Sequence, residues 1–269
     1  MSGYHAFHAR PKRDIVSSRD EQDIQLIWKV YVRSRGTIGV KAISGTLKAQ
    51  YNITVNHKRV ARLMKEMGLK SKIRMKKWRP AVPQLPQNMV YPDLLKRDFD
   101  AQLPNTKWVA DLTEFNYLNT KFYGCAIVDL FERRAVGFCL SLSPDASLVS
   151  DTVTQAVRSR DLETLEGMIL HTDQGSVFRS NEYKRLICEL RFTPSMSRKA
   201  NCWDNAVIES FFSQLKTEFP FHSKMESIEQ IEEDLKKFIT YYNDIRGQKR
   251  LNYLSPTMYY QQHVVQQNV

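Results

Sequence analysis

The hydrophobic period of the chain first changes across a stretch that regular structure cannot easily span. Residues 20–67 repeat apolar side chains every three or four positions, the period of helices with one buried face. Residues 107–142 alternate in twos or run apolar, the pattern of strands. Between them stand Pro80, Pro83, Pro86 and Pro92. Each removes a backbone donor and fixes φ, so residues 79–105 read as a linker. The chain therefore joins two differently built parts.

The front part reads as three short helices. Asp20 is placed to cap the first, which runs to about Ser34 with Ile24, Ile27, Trp28 and Tyr31 on one face. A second carries Ile43 and Leu47. A third follows the cap residue Asn56, buries Val60, Leu63, Met64 and Met67, and ends at Gly68. Its other face holds His57, Lys58, Arg59, Arg62 and Lys65, so the region suits a helix-turn-helix module. Residues 70–79 add six basic residues, among them Lys72, Arg74, Lys76 and Lys77. Residues 1–105 hold 21 Lys+Arg against 8 Asp+Glu, and residues 106–269 hold 19 against 21. A basic front on a near-neutral back points to a polyanion, and Lys58, Arg59, Arg62, Lys72, Arg74, Lys76 and Lys77 are its candidate contacts.

The back part reads as strands at 107–117, 122–131 and 134–142, a helix at 145–160 capped by Asp145, and a short strand at 168–172. A helix at 180–190 and a strand at 191–195 follow. A helix at 204–219 is expected to stop before Pro220, and another runs from about 226 to 245. This order describes an α/β fold, a mixed sheet with helices on both faces.

Asp111 lies inside an apolar strand and Asp173 just past the end of another. A bare carboxylate in such company costs several kcal/mol unless it is paired or binds a cation. Glu209 rides the edge of the helix that buries Ile208, Phe211, Phe212 and Leu215, and Lys216 follows two turns later. Three carboxylates suit hard divalent cations, which take oxygen ligands and keep their waters. Asp129 is flanked as apolarly as Asp111, Glu114 is a further candidate, and Asp204 reads as a helix cap. Asn205 and Ser210 flank the glutamate. His171 is as well placed for packing as for the site. No Ser-His-Asp, Cys-His or phosphate-loop arrangement competes, and Cys125, Cys139, Cys188 and Cys202 stand at no zinc spacing.

Several ordered words then carry a resemblance. They are WVADLTEF (108–115), HTDQGSVFRS (171–180), SMSRKANCWDNAVIESFFSQLK (195–216) and YYNDIRGQKRLNYLSP (241–256), with 35 residues between Asp173 and Glu209. Together they resemble the second-frame (OrfB) transposases of the insertion sequence three family, with a catalytic core similar to that of retroviral integrases. Departures are TIGVKAI (37–43), where relatives carry Tyr-Gly and paired arginines, and Gln248, where a histidine is frequent.

The resemblance implies an RNase H-like core over 106–222, between a basic helix-turn-helix-like region (1–78) with its linker and a C-terminal helical extension (223–269). It implies Asp111, Asp173 and Glu209 as catalytic and metal-binding residues, with Lys216 on DNA. It implies two Mg²⁺ ions, for which Mn²⁺ can substitute. The expected partners are double-stranded DNA (terminal inverted repeats and target), the upstream-frame product joined by frameshifting, and further copies of the chain. Rival readings are a DNA-binding remnant with a dead core and a nuclease that cuts RNA–DNA hybrids. No apolar run nears the roughly 20 residues of a membrane span, and the N-terminus has no hydrophobic stretch, so the expected location is the cytoplasm.

Overall fold

A computed structural model describes residues 18–73, 90–198 and 202–265. The chain forms two compact units that meet in sequence at residues 72 and 73.

The first unit holds helices α1 (Ser18–Arg33), α2 (Val40–Tyr51) and α3 (His57–Glu66). Ile27, Val30, Ile43, Leu47, Val60, Leu63 and Met64 form its core. Asn56 caps α3 as expected, accepting from the Lys58 N–H. Gly68, at φ +69°, turns the chain after it. Two expectations change. The buried face of α1 runs through Ile27 and Val30, which leaves Trp28 half-exposed and stacked on Tyr31. Asp20 does not cap the helix; it sits inside the first turn of α1 and pairs with Arg59 and Arg62 of α3. A carboxylate there is also favoured by the helix dipole.

The second unit is built on five strands: β1 (Lys107–Tyr117), β2 (Thr120–Asp129), β3 (Ala135–Ser141), β4 (Ile169–Thr172) and β5 (Thr193–Met196). Their spatial order is β3-β2-β1-β4-β5. The first three form an antiparallel meander, and β4 and β5 add in parallel beside β1. Such parallel additions need crossovers, and helices α4 (Ala146–Ser159) and α5 (Asn181–Leu190) lie in them. Asp145 caps α4 by accepting from the Leu148 N–H. The remaining helices are α6 (Ala206–His222), α7 (Ile231–Thr240) and α8 (Pro256–Tyr260).

The sheet is covered on both faces. Trp108 and Ala110 of β1 pack with α4 and α5 in one apolar cluster. Val109 and Tyr117 pack with α6 and α7 in another. This is the alternation that period two dictates. Helix α6 does not stop at Pro220 but runs on to His222. A proline so near a C-terminus costs little backbone bonding, and burial of Phe219 offsets it by about 2 kcal/mol. The following helix starts at Ile231 rather than near 226. Its Ile231, Leu235 and Phe238, with Tyr241 and Tyr242, join the same cluster as α6. Asn243 then closes the edge of β3: its amide accepts from the Ala135 N–H and donates to the Ala135 carbonyl. Residues 90–105 carry no regular helix or strand, yet Leu95 is buried and the Leu94 N–H bonds Ser195 Oγ at 2.9 Å. Among the described residues no helix is long and apolar enough to cross a membrane.

Candidate active site

The parallel register brings two of the carboxylates level. Val109 of β1 stands opposite His171 of β4. Two residues further along each strand direction come Asp111 and Asp173. Asp111 shares the parity of Val109, so it leaves the sheet on the face covered by α6. Helix α6 in turn carries Glu209 on an exposed edge beside its buried stripe of Ile208, Phe211, Phe212 and Leu215. Three elements distant in sequence thus deliver one acid each.

Their electrostatics show how near they stand. Burial pushes the Asp111 carboxyl well above the usual carboxylate range, and the charges of Asp173 and Glu209 push the same way. The Leu112 N–H, which donates to Asp111 Oδ1 at 2.7 Å, and the Lys216 ammonium oppose that rise. Asp173 is raised by burial as well, while the Gly175 N–H and Arg179 pull it down. Desolvation also lifts Glu209. Asp111 thus feels both other acids with only partial compensation, while Asp173 and Glu209 are raised by burial, a pattern met at functional clusters.

As they stand, no three His, Cys, Asp or Glu side chains among the described residues are gathered tightly enough to grip an ion. The chemistry of the donor set, oxygen-only and anionic, fits Mg²⁺ or Mn²⁺.

The rival acids are accounted for. Asp129 is fully buried and accepts from Trp108 Nε1 (3.0 Å), the Asn105 N–H (2.8 Å) and the Phe131 N–H (2.9 Å). Arg160 neutralises it and the buried Glu132 together. Glu114 is exposed and pairs with Lys121 at 3.1 Å. Asp204 is not a cap: its buried carboxylate takes two bonds from the Arg198 guanidinium and one from Arg97, which hold it well below the usual range. His171 is buried against Ser195 Oγ at 2.8 Å, and burial lowers its pKa, which gives it a packing role. Ser210 is exposed and touches Gln214.

Two residues beside the site went unnoticed in the sequence. Gly175 leaves room for Asp173: a Cβ at 175 would lie 2.8 Å from Asp173 Oδ1. The Asp-x-Gly word was the available signal for such a side-chain-closed turn. Arg179, in the turn Val177–Arg179, supplies positive charge to Asp173. No local pattern marks it.

The candidate DNA contacts of the first unit divide. Lys58 is exposed on α3. Arg59 instead pairs with Asp20 at 2.9 Å and Asp23 at 2.7 Å. Arg62 pairs with Asp20 and with Glu66. Lys72 is exposed at the end of the unit, and its N–H bonds the Gly36 carbonyl. Arg74, Lys76 and Lys77 lie outside the described residues.

Comparison with known proteins agrees with this architecture. Residues 18–77 match an HTH-like domain, and residues 101–202 and 190–256 match two models of an integrase core domain. The InsK protein of insertion sequence element IS150 from Escherichia coli K12 is 35% identical over 233 residues, 87% of this chain and 81% of the relative. The transposase of insertion sequence element IS904 from Lactococcus lactis is 33% identical over 255 residues, 93% of this chain and 96% of the relative. The chain belongs to the insertion sequence three family of transposases. The transposase InsF of insertion sequence IS3A from Escherichia coli K12 is a further relative, 32% identical over 196 residues, 72% of this chain and 66% of the relative. Among solved structures, a chain of the simian T-cell lymphotropic virus intasome in complex with PP2A regulatory subunit B56 gamma superposes with a TM-score of 0.53 at 16% identity, over 87% of this chain and 74% of that one. That likeness is one of fold: the transposase unit is an RNase H-like sheet of the integrase kind.

Proposed function

We propose that this transposase cuts DNA at the ends of an insertion sequence and joins the freed ends to target DNA, with Asp111, Asp173 and Glu209 as its reacting centre. The observation that carries the reading is the register that brings Asp111 of β1 level with Asp173 past the end of β4, with Asp173 and Glu209 of α6 both near enough to raise the Asp111 carboxyl. A fold does not keep such charges together for stability. Asp111 and Asp173 would hold one divalent cation and Glu209 would complete the site of a second. When bound, Mg²⁺, or Mn²⁺ in its place, neutralises the phosphodiester and polarises its oxygens.

The chain's own residues supply the rest. The carboxylates would hold the cations that fix the reacting phosphate between sheet and helix. Lys216, seven residues after Glu209 and so nearly on the same face of α6, grips a neighbouring phosphate oxygen. Lys58, Arg59, Arg62, Lys72, Arg74, Lys76 and Lys77 are assigned to double-stranded DNA through the helix-turn-helix-like region. Terminal inverted repeats and target are the DNA partners. A frameshift fusion with the upstream-frame product and assembly of several copies on DNA complete the reading, in the cytoplasm. The reading also keeps the boundaries 1–78, 79–105, 106–222 and 223–269.

The test separates binding from chemistry. Asp111→Asn is expected to retain affinity for duplex DNA carrying element ends while losing Mg²⁺-dependent nicking. Loss of DNA affinity as severe as the loss of nicking would sink the assignment.

A further inference from the structure

Arg198 stands where the strands beside the acids run out. Thr172 of β4 pairs with Met196 of β5. One residue on, the Ser197 N–H donates to the Thr172 carbonyl at 2.9 Å, and Gln174 Nε2 donates to the Ser197 carbonyl at 2.9 Å. Ser197 is thus tied to both neighbours of Asp173, and Arg198 follows it. The Arg198 guanidinium then reaches Asp204, buried with Asn205 at the start of α6. It grips the carboxylate side-on, Nε to Oδ2 at 2.9 Å and Nη2 to Oδ1 at 3.0 Å. Arg97 Nε donates to the same Oδ1 at 2.7 Å. Arg198 therefore bridges the turn of Asp173 and the helix of Glu209.

This pairing exceeds what structure needs. Asp204 carries one charge and meets two guanidiniums. The side chain of Arg198 is 59% exposed and that of Arg97 46%, over a carboxylate at 1%. Arg246, which holds Glu218 by the same two-point grip, is only 14% exposed. A second acid, Asp93, acts on Arg198 through space, while its Oδ1 accepts from the Lys96 N–H at 2.8 Å. With exposed Lys96 next in sequence, three cations stand against these two acids. A guanidinium presents five N–H donors in a fixed fork. The side-on grip uses one edge of Arg198 and leaves the Nη1–Nη2 edge set for a second oxyanion.

We infer that Arg198, steadied by Asp204 and flanked by Arg97, binds a phosphate of the DNA strand close to the one that reacts. Asp204 precedes Glu209 by five residues, roughly 8 Å along the helix axis. Successive nucleotides of a strand advance about 3.4 Å, so the bound phosphate lies about two nucleotides from the reacting one. A fork already held in place loses little freedom on binding. The inference rests on the function proposed above and adds a contact to it.

The experiment uses element-end duplexes in which one phosphate at a time is replaced by a neutral methylphosphonate, over the three positions on either side of the cut. Mg²⁺-dependent nicking of each is measured for the wild type, Arg198→Gln, Arg198→Lys and Glu209→Gln. Arg198→Gln is expected to nick the unmodified duplex about ten- to hundredfold more slowly. At one position neutralisation should slow the wild type by a similar factor and slow Arg198→Gln less than about twofold further. Arg97 still pairs Asp204 in both variants, and Arg198→Lys also keeps a cation there, so it reads the same coupling should Arg198→Gln fail to fold. Losses that simply multiply at every position would make Arg198 structural and overturn the inference. So would wild-type nicking by Arg198→Gln while Glu209→Gln is dead, an outcome that leaves the proposed reaction standing. If the wild type nicks no better than Glu209→Gln, the proposed reaction itself fails and takes this inference with it.

Discussion

The two units of this transposase handle charge in opposite ways. In the three-helix unit, Arg59 and Arg62 of α3 are met by Asp20, Asp23 and Glu66 of the same unit. In the sheet unit, burial raises Asp111, Asp173 and Glu209, Asp111 also faces the charges of the other two, and Lys216 and Arg179 compensate only in part. The same unit also partners acids that serve structure: Asp129, though raised by burial, has four hydrogen-bond or ion-pair partners, and Glu218 of α6 is held bidentately by Arg246. Balanced charge marks what holds a unit together; under the proposed function, unbalanced charge marks the place of a cation and a phosphate.

The comparison breaks first at Asp173. Asp173→Asn is expected to cut nicking at least about a thousandfold, roughly 4 kcal/mol of transition-state stabilisation, with no fall in thermal midpoint. A large fall in midpoint would place Asp173 among the balanced, structural charges. Arg59→Ala is the reverse case. It strands Asp23, which is largely buried, and should cost the helical unit about 1–3 kcal/mol in a denaturant titration. An unchanged transition would mean that the pair contributes nothing.

The third expectation concerns pH. Asp111 titrates well above the usual carboxylate range in the folded chain, chiefly through burial, and near 3.9, roughly, when unfolded. Between those two values the folded chain keeps a proton that the unfolded chain has lost. Without divalent cation, stability should therefore fall as pH rises through that window. Asp173, raised in the same direction, adds to the fall. Thermal midpoints from pH 4 upward should decline in the wild type, decline less in Asp111→Asn, and recover with Mg²⁺ in the wild type alone. A midpoint that climbs through the window in both would contradict the burial of an unbalanced acid. The smallest effect is expected of Lys58→Ala: unchanged stability, and a DNA-binding salt dependence shallower by about one counterion. An unchanged salt dependence would remove Lys58 from the DNA face.

Much of this was readable in the sequence, for identifiable reasons. The strands were legible because β1, β2 and β3 are joined by short turns and keep period two on a sheet covered on both faces. Asp145 and Asn56 were legible because a cap is a local device, whereas Asp173 and Glu209 stood out from other acids only through the resemblance. What escaped depends on contacts between distant residues. Asp129 and Asp111 have equally apolar neighbours, and only Trp108, Asn105 and Arg160 tell the structural acid from the other. Asp204 looks like a cap until Arg97, more than a hundred residues away, appears beside it. Arg59 and Arg62 look like an uncompensated basic face until α1 brings its acids across, and no local pattern announces those pairs. Pro220 looks like a helix stop until the burial of Phe219 carries α6 past it.

The most direct test of the central claim uses supercoiled plasmid bearing the element ends, Mg²⁺ or Mn²⁺, and the wild-type chain beside Glu209→Gln. Glu209 is exposed, so its replacement should leave the fold intact. The account predicts nicked and strand-transfer products from the wild type, none without divalent cation, and none from Glu209→Gln. Equal products from both proteins would contradict it, because the reacting centre would then lie elsewhere.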